Sequence, residues 1–219
     1  LNSKQNELSL NNLYTDPVLI TGNEALAYGA VSAKITSYFG YPMTPSSSIM
    51  STLAKIGEKY GVLVKQVEDE ITAAAMTMGS MMLNERALTA TSGGGFDLMS
   101  EHISFSMMAE IPFVIILAQR PGPATGLPTW TSQGDLMLSI FAGHGESPRI
   151  VIAVSDVQTC YKYIQICFNL AQFYQIPVIL LTDKLLAETY FISDKTEFEN
   201  IGSLSNTSSI NDKSHRYSL

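Results

Sequence analysis

Stretches with helical spacing of apolar residues alternate along the chain with short, continuous apolar runs. The helical spacing predicts helices at residues 23–39, 49–60, 69–83, 96–109, 133–141 and 156–174. The short runs predict strands at residues 62–67, 87–91, 112–118, 149–154 and 177–182. Because helices separate the strands, the predicted fold class is α/β, a mostly parallel sheet with helices on both faces.

The same pattern sets the predicted domain boundaries. Residues 1–15 are predicted to be a flexible N-terminal segment, and residues 16–192 a single domain without internal repeats. From Ser193 onward the apolar pattern fades into Ser, Asn, Asp and Lys. Residues 193–219 are therefore predicted to be a tail or linker.

Composition and charge narrow the class of protein. With 219 residues, 46% of them hydrophobic, the chain is long enough to bury a sizeable core. A net charge of −7 argues against a nucleic-acid partner. The longest apolar runs, 113–118 and 177–181, are too short to span a bilayer, and residues 1–17 lack the apolar core of a signal peptide.

The two cysteines, Cys160 and Cys167, are seven residues apart in a helical pattern. They are predicted to be buried thiols on one helix face. The chain has no CxxC pair, so no iron–sulfur or zinc site is expected to be built from it alone. A reducing cytoplasm is the expected compartment.

Residues 41–48, Tyr-Pro-Met-Thr-Pro-Ser-Ser-Ser, form an unusual connection. The two prolines remove backbone donors and bias the residues before them away from helix. The pattern predicts a rigid loop aimed at a helix N-terminus, where anions and oxygen-rich ligands bind. Ser46 and Ser47 are predicted to shape the loop and cap the helix. The alternative is an ordinary proline-containing connection with a serine cap.

Three carboxylates, Glu68, Asp69 and Glu70, stand where a predicted strand meets a predicted helix. Acidic residues favour a helix N-terminus, which is enough to explain Glu68 and Asp69. Glu70 differs because Ile, Thr, three Ala and Met follow it, so its surroundings are predicted to be apolar. A carboxyl group in such a place has a raised pKa unless it is paired, and such groups are often functional.

Two further loops follow buried strands. Residues 92–95, Ser-Gly-Gly-Gly, predict either a close backbone approach to a ligand or a tight strand-to-helix turn. Residues 119–129 contain three prolines and two glycines, which is more than an ordinary connection needs. Arg120 is suited to bind a substrate carboxylate or to pair with an acid near Glu70. His144 is either a loop residue or an acid or base.

Together these segments resemble the α subunit of the 2-oxoacid:ferredoxin oxidoreductases, particularly the 2-oxoglutarate type. The resemblance covers roughly residues 16–183. Its most specific parts are the Tyr-Pro-x-Thr-Pro-Ser-Ser segment from Tyr41 and the loop from Gly122 to Thr129. Further matching segments are Gly22-Asn23-Glu24-Ala25, Gly29-Ala30, Glu68-Asp69-Glu70, Thr89-Ala90-Thr91-Ser92-Gly93, Ala109-Glu110-Ile111-Pro112, Gln119-Arg120 and His144-Gly145-Glu146.

The resemblance implies a thiamine diphosphate-binding fold of the pyrimidine-domain type. In it, Glu70 would hydrogen-bond the aminopyrimidine ring nitrogen and favour the imino tautomer of the cofactor. Thr44 would face the carboxylate or keto oxygen of the substrate, and Arg120 would bind a carboxylate of the 2-oxoacid. The implied catalytic residues are Glu70, Thr44 and Arg120. The implied cofactor contacts are Glu70, Pro42, Thr44, Ser92 and Gly93, and the implied substrate contacts are Thr44, Arg120 and Thr125.

The implied reaction is oxidative decarboxylation of a 2-oxoacid, first of all 2-oxoglutarate, to acyl-CoA, with electrons passed to ferredoxin. The partner β subunit of this family would hold the diphosphate with its Mg²⁺, and the 4Fe–4S cluster. The isolated chain is accordingly expected to have little or no activity. The Met-rich helix at residues 71–83 is a predicted element of the subunit interface.

Three departures from the family pattern are visible. Gly94 stands where the family commonly has Pro, Ala124 stands where Ser is usual, and family α subunits continue into a second α/β domain. The chain is therefore expected to be a fragment, a proteolysed product or a truncated form. The alternatives in function are the same chemistry on pyruvate or a branched-chain acid, and a non-catalytic remnant. A flavodoxin-like nucleotide-binding module is a third alternative, but it lacks a recognisable phosphate loop.

Overall fold

The computed structural model describes residues 14–198. Its strands are β1 (Pro17–Thr21), β2 (Ser37–Gly40), β3 (Leu63–Gln66), β4 (Ala87–Thr91), β5 (Phe113–Gln119), β6 (Ile150–Ala153), β7 (Pro177–Asp183) and β8 (Tyr190–Asp194). Its helices are α1 (Gly22–Ser32), α2 (Ser47–Tyr60), α3 (Glu70–Met82), α4 (Gly93–Leu98), α5 (Ser100–Met108), α6 (Leu136–Phe141), α7 (Val157–Tyr174) and α8 (Lys184–Glu188). A 3₁₀ turn at Lys195–Glu197 follows β8.

A six-stranded parallel sheet in the order β3-β2-β4-β5-β7-β6 forms the centre of the fold. The chain moves outward from β2 to β3 and then returns past β2 to β4 and β5. Right-handed crossovers that run in opposite directions lie on opposite faces of a sheet. Helices α2 and α7 therefore share one face with α1, which contacts both, and α3, α4 and α5 cover the other. The predicted α/β class with helices on both faces is confirmed.

The core lies between the sheet and these two helical layers. Every residue of β4 and β5 is buried, as expected for inner strands of a parallel sheet. Helix α7 begins at the N-cap Asp156, and its carboxylate accepts a hydrogen bond from the Thr159 backbone amide at 2.7 Å. Cys160 and Cys167 lie on α7 as free, fully buried thiols, as predicted. Within residues 14–198, no helix combines the length and apolar character needed to cross a bilayer.

The helix predicted over residues 23–39 is wrong in its second half. Helix α1 ends at Ser32, Lys34 adopts a left-handed backbone conformation with φ of 61°, and residues 37–40 form β2. Tyr38 and Phe39 are buried in this strand between β3 and β4. Hydrogen bonding to two neighbouring strands therefore outweighs the helical spacing of the apolar residues.

A small antiparallel ribbon of β1 and β8 was not predicted. It pairs Pro17 with Asp194 and Thr21 with Tyr190. The Asp194 carboxylate accepts a hydrogen bond from the Thr15 backbone amide at 2.6 Å, which closes the ribbon at its end. Regular structure therefore extends past the domain boundary predicted at residue 192. The rest of the predicted tail, from residue 199, and residues 1–13 of the predicted N-terminal segment lie outside the described residues.

Two predicted helices have bounds that differ from those in the structure. The helix predicted at 96–109 consists of α4 and α5 with a break at Met99. The helix predicted at 133–141 begins only at Leu136. The remaining predicted helices and strands are present within a few residues of their predicted bounds.

Candidate active site

The predicted site residues come from the ends of four neighbouring strands. Thr44 follows β2, Glu70 follows β3, Ser92 and Gly93 follow β4, and Arg120 follows β5. Since these strands are parallel and adjacent, their carboxyl ends lie at one edge of the sheet. Between β2 and β4 the connections leave toward opposite faces, which makes this point the topological switch point, where open α/β sheets bind their ligands.

Arg120 is bound to the Thr44 loop. Its side chain is only 7% exposed, and its Nη1 donates a hydrogen bond to the Thr44 carbonyl oxygen at 2.6 Å. Burial lowers the pKa of Arg120, while the nearby carboxylates of Asp135 and Glu70 raise it. A guanidinium group stays charged even so. The predicted alternative, a salt bridge to an acid near Glu70, is not formed, because Arg120 makes no ion pair within residues 14–198.

A second residue, Asn23, forms hydrogen bonds with the Thr44 loop and the start of α2. Asn23, at the start of α1, is fully buried, and its Nδ2 donates hydrogen bonds to the Pro45 carbonyl oxygen and to the Ser48 Oγ, both at 2.7 Å. The carbonyl groups of Thr44 and Pro45 thereby accept hydrogen bonds from Arg120 and Asn23, respectively. The loop geometry therefore depends on residues that are distant from it in sequence.

The predicted capping role of Ser46 is wrong. Ser46 occupies the N-cap position of α2, but its side chain makes no capping hydrogen bond. Its Oγ donates instead to the Met43 carbonyl oxygen at 2.7 Å, within the loop itself. Ser46 therefore shapes the loop, as predicted. The backbone amides at the start of α2 are not capped by its side chain.

Glu70 is a buried carboxylate whose Oε1 has no hydrogen-bond partner. Glu70 is the first residue of α3 and is only 3% exposed. The preceding residue, Asp69, caps the helix, since its carboxylate accepts a hydrogen bond from the Thr72 amide at 2.7 Å. Burial raises the pKa of Glu70, and the charge of Asp69 adds to this, while Arg120 lowers it. A buried, unsatisfied carboxyl group costs folding free energy, which makes Glu70 a candidate for a functional role.

Gly95 makes room for the Glu70 carboxyl group. A Cβ at residue 95 would lie 2.5 Å from Glu70 Oε1 and 2.1 Å from Thr91 Oγ1, well inside van der Waals contact. The glycine turn after β4 is therefore required by the close approach of a side chain from α3. The sequence predicted either a ligand against these glycines or a tight strand-to-helix turn, and at Gly95 the neighbours are the side chains of Thr91 and Glu70.

Gly95→Ala is expected to destabilise the chain by about 1–3 kcal/mol, because the added methyl group must displace Thr91 or Glu70 in a packed site. Urea unfolding of the wild-type and variant chains measures this change. Gly79→Ala in α3 is the matched control, since nothing lies within 4 Å of its added Cβ. It is expected to stabilise the helix by up to about 1 kcal/mol. Equal stability of Gly95→Ala and wild type would contradict the assigned role of Gly95.

A small open pocket of about 80 Å³ lies beside Arg120. It is bounded by the turn after β4 and by the proline-rich loop after β5. Its lining residues are Gly93, Gly94, Asp97, Arg120, Pro121, Gly122, Pro123, Ala124, Asp135 and Leu138. Ser92, next to the pocket, is fully buried and its Oγ has no hydrogen-bond partner. Gly93 and Arg120 therefore line one pocket, and Ser92 directly precedes Gly93 in the chain.

Three other residues considered in the sequence analysis, Pro42, Thr125 and His144, do not line this pocket. Pro42 and Thr125 are exposed, and their assigned contacts to cofactor and substrate stay predictions. His144 lies away from the pocket, and its Nε2 is 3.5 Å from Glu101 Oε2 with both side chains largely exposed. Of the two alternatives for His144, the structure favours the loop residue.

Reasoning from the sequence missed three residues that shape the site, Asn23, Gly95 and Asp135. Asn23 was visible only as part of a family motif, with no local signal of its contact to Pro45. The triple-glycine turn pointed to a close approach without identifying Glu70 as the neighbour. Asp135 lies inside the helix predicted at residues 133–141, and nothing in the local sequence marks it as a site residue.

The fold and the site define an α/β domain with a ligand site at the switch point of its sheet. Residues 28–218 match the family described as "Pyruvate flavodoxin/ferredoxin oxidoreductase, thiamine diP-bdg". The chain therefore belongs to this family, and its domain is a thiamine diphosphate-binding domain.

Two longer relatives match most of this chain. The chain is 40% identical over 186 residues to the 2-oxoglutarate synthase subunit KorA of Methanothermobacter marburgensis, covering 84% of this chain and 50% of the relative. It is 42% identical over 192 residues to the 2-oxoacid:ferredoxin oxidoreductase subunit alpha of Saccharolobus solfataricus, covering 82% and 30%. The chain thus spans about half the length of the former and less of the latter.

A solved structure has the same fold. The 2-oxoglutarate:ferredoxin oxidoreductase of Magnetococcus marinus, solved with 2-oxoglutarate, coenzyme A and succinyl-CoA bound, superposes with a TM-score of 0.79 at 38% identity. The match covers 86% of this chain and 33% of that chain. The predicted pyrimidine-domain type of fold is supported by this likeness together with the family match.

Proposed function

We propose that the chain is part of the α subunit of a 2-oxoacid:ferredoxin oxidoreductase and supplies the aminopyrimidine-binding half of a thiamine diphosphate site. The reaction would be oxidative decarboxylation of a 2-oxoacid, first of all 2-oxoglutarate, to acyl-CoA, with electrons passed to ferredoxin. The observation that carries the proposal is Glu70, a buried carboxylate with a free Oε1 among loops from four adjacent strands.

The surroundings of Glu70 suit a proton exchange with a weakly basic ring nitrogen. Burial raises its pKa, so the carboxyl group holds a proton more readily than an exposed glutamate does. Its Oε1 is unpartnered and therefore available to bond a ring nitrogen. When bound, thiamine diphosphate supplies the electron sink that decarboxylation of a 2-oxoacid needs. Glu70 would hold the pyrimidine, and Ser92, whose Oγ has no hydrogen-bond partner, and Gly93 would be further cofactor contacts.

Arg120 would bind the carboxylate that every 2-oxoacid carries. Its Nη1 is engaged by the Thr44 carbonyl oxygen, which fixes the plane of the guanidinium group and leaves its other donors for a ligand. Thr44, half-buried beside it, would face the substrate. Because this contact uses a group common to all 2-oxoacids, pyruvate and branched-chain acids remain the alternative substrates.

The partner would be the β subunit, bound at the sheet edge that carries the site. Helix α3 has no charged residue after Glu70, and its buried side includes Ala73, Ala74 and Met81. Its other side exposes Ile71 at 46% and Met82 at 47%. Because a helix with so few charged residues is normally buried, a second surface is expected to cover this side. This supports the predicted role of residues 71–83 at the interface.

The same exposed character continues on neighbouring helices. Helices α4 to α6 and the loop between β5 and α6 expose a set of large apolar side chains: Leu98, Phe105, Met108, Trp130, Leu136, Met137, Ile140 and Phe141. Large exposed apolar side chains favour a binding surface where they adjoin one another. The β subunit would cover this surface, and on the family resemblance we assign Mg²⁺ and the 4Fe–4S cluster to that subunit. The cytoplasm stays the predicted compartment.

Co-expression with a β subunit of the same family tests the proposal. The complex is expected to reduce ferredoxin or a viologen dye in a reaction that requires a 2-oxoacid, coenzyme A and thiamine diphosphate. 2-Oxoglutarate and pyruvate are compared side by side, and 2-oxoglutarate is expected to give the higher kcat/KM. The chain alone is the control and is expected to be inactive. Failure to assemble with any β subunit would favour the non-catalytic remnant.

A further inference from the structure

Side chains hold the Thr44 loop by its backbone carbonyl groups. The carbonyl oxygens of residues 43–45 each accept a hydrogen bond from a different side chain. The first donor, Ser46, belongs to the loop itself, and the second, Arg120, would also bind the substrate in the proposed function. The third donor, Asn23, comes from α1. Of these three donors, Asn23 alone lies outside both the loop and the assigned binding residues.

Asn23 is held in place by contacts that do not involve the loop. It is fully buried in the first turn of α1, where the N-cap Thr21 and Glu24 form a capping box. The preceding Gly22 is packed against α8, since a Cβ added to it would lie 2.5 Å from the Leu186 carbonyl oxygen. Capping and packing therefore fix the start of α1, and the Asn23 side chain reaches the loop from a pre-set position.

The Asn23 amide group acts on the loop as a donor. A carbonyl oxygen only accepts hydrogen bonds, so the group that faces Pro45 at 2.7 Å is the NH₂ group. Its other hydrogen is donated to Ser48 Oγ in α2, also at 2.7 Å. The Asn23 Oδ1 is buried without a hydrogen-bond partner. Burial of an unpaired amide oxygen costs folding free energy, which makes Asn23 a candidate for a functional role.

We propose that Asn23 is a positioning residue, which fixes the Pro45 carbonyl group and thereby holds the Thr44 side chain toward the 2-oxoacid. The inference rests on the proposed function, in which Thr44 faces the substrate. Thr44 and Pro45 share one peptide bond, so a shift of the Pro45 backbone also moves Thr44. A displacement of about 1 Å in a catalytic site can lower a rate by about 100-fold.

Asn23→Ala tests the effect on the loop in the 219-residue chain. Amide hydrogen exchange of the segment 41–48 is expected to become about tenfold faster, because the loop loses its bond to α1. Asn169→Ala is the matched control. Asn169 is also a buried asparagine with a side-chain hydrogen bond, to Arg86, but it lies on α7. The control is expected to leave this segment unchanged, and equal acceleration in both variants would overturn the inference.

Kinetics of the complex with the β subunit test the effect on the reaction. Asn23→Ala is expected to lower kcat/KM for the 2-oxoacid by about 10- to 100-fold. Thr44→Val keeps the branched shape of the side chain and removes its hydroxyl group. In that background Asn23→Ala is expected to change kcat/KM by no more than about twofold, since a residue that acts through another is not additive with it. Additive losses would indicate a general loss of structure and contradict the positioning role.

Asn23→Ser is a second variant for the case that the alanine variant does not fold. The serine side chain is shorter, and its one hydrogen cannot serve both acceptors. Smaller changes in the same direction are expected in both measurements, and wild-type exchange together with wild-type kinetics would refute the inference. A wild-type complex that is inactive with every 2-oxoacid would refute the proposed function instead, while the exchange measurement would still decide whether Asn23 holds the loop.

Discussion

Glu70→Gln is expected to reduce 2-oxoacid-dependent dye reduction by the α–β complex by roughly 100- to 10,000-fold, the range associated with loss of a positioned acid or base. Glutamine has nearly the shape of glutamate but cannot exchange a proton with a ring nitrogen. The subunits are expected to assemble normally, because Glu70 is buried within this chain. Activity is measured at saturating thiamine diphosphate, so that a weaker cofactor affinity does not imitate the loss.

The stability of the same variant separates a functional role from a structural one. Burial raises the pKa of Glu70, so the folded state binds this proton more tightly than the unfolded state. The wild type therefore loses stability as the pH rises from the ordinary carboxyl pKa through the raised value, and the Gln variant lacks this loss. The free energy of unfolding of the variant relative to wild type is expected to increase toward neutral pH.

Glu58→Gln is the control for both measurements, since Glu58 is exposed on α2. It is expected to change neither activity nor the pH dependence of stability. Full activity of Glu70→Gln would rule out the cofactor role of Glu70. A large loss of stability at neutral pH would indicate that the carboxylate serves the fold.

Arg120→Lys is expected to raise the KM for the 2-oxoacid by about 10- to 100-fold, which corresponds to roughly 1.4–2.8 kcal/mol. Lysine retains the positive charge but lacks the planar fork that can bond the Thr44 carbonyl oxygen and a substrate carboxylate together. The effect is expected for 2-oxoglutarate and pyruvate alike, since both carry the carboxylate next to the keto group. Steady-state kinetics of the complex measure it.

Arg149→Lys is the matched control. Arg149 is a half-buried arginine that, like Arg120, donates to a backbone carbonyl oxygen, that of Ala142, but it lies outside the pocket. Its substitution is expected to leave the KM within about twofold of wild type. A similar rise in KM for both variants would assign the effect to a general loss of packing and would contradict substrate binding by Arg120.

The difference between prediction and structure is clearest around β2. Residues 35–40 contain Ile, Tyr and Phe at spacings that fit either a helix or a strand. The strand forms because β3 and β4, which lie 20 to 50 residues further along the chain, supply hydrogen bonds on both sides. The ribbon of β1 and β8 has the same origin, since it joins segments from opposite ends of the described chain. Neither partner is visible in a local window.

Asp135 illustrates the same limit at the site. The sequence predicted a helix from residue 133, which placed Asp135 inside that helix with no mark of a site residue. In the structure α6 begins at Leu136, and the Asp135 carboxylate lies against Gly93, which comes from the end of β4. The position of a residue at the candidate site was therefore predictable where a motif marked it, as at Glu70 and Arg120. It was not predictable where a contact alone defines it, as at Asp135.

The sequence by itself determined the parallel α/β class and the loops that carry the site. Both follow from patterns between near neighbours: apolar periodicity, β-branched runs, and the glycines and prolines that end strands. Only the tertiary structure decided that Arg120 bonds Thr44, that Glu70 is buried against Gly95, and that the Asp135 charge faces the same pocket. These are contacts between residues far apart in the chain, and their geometry is set by the order of strands in the sheet.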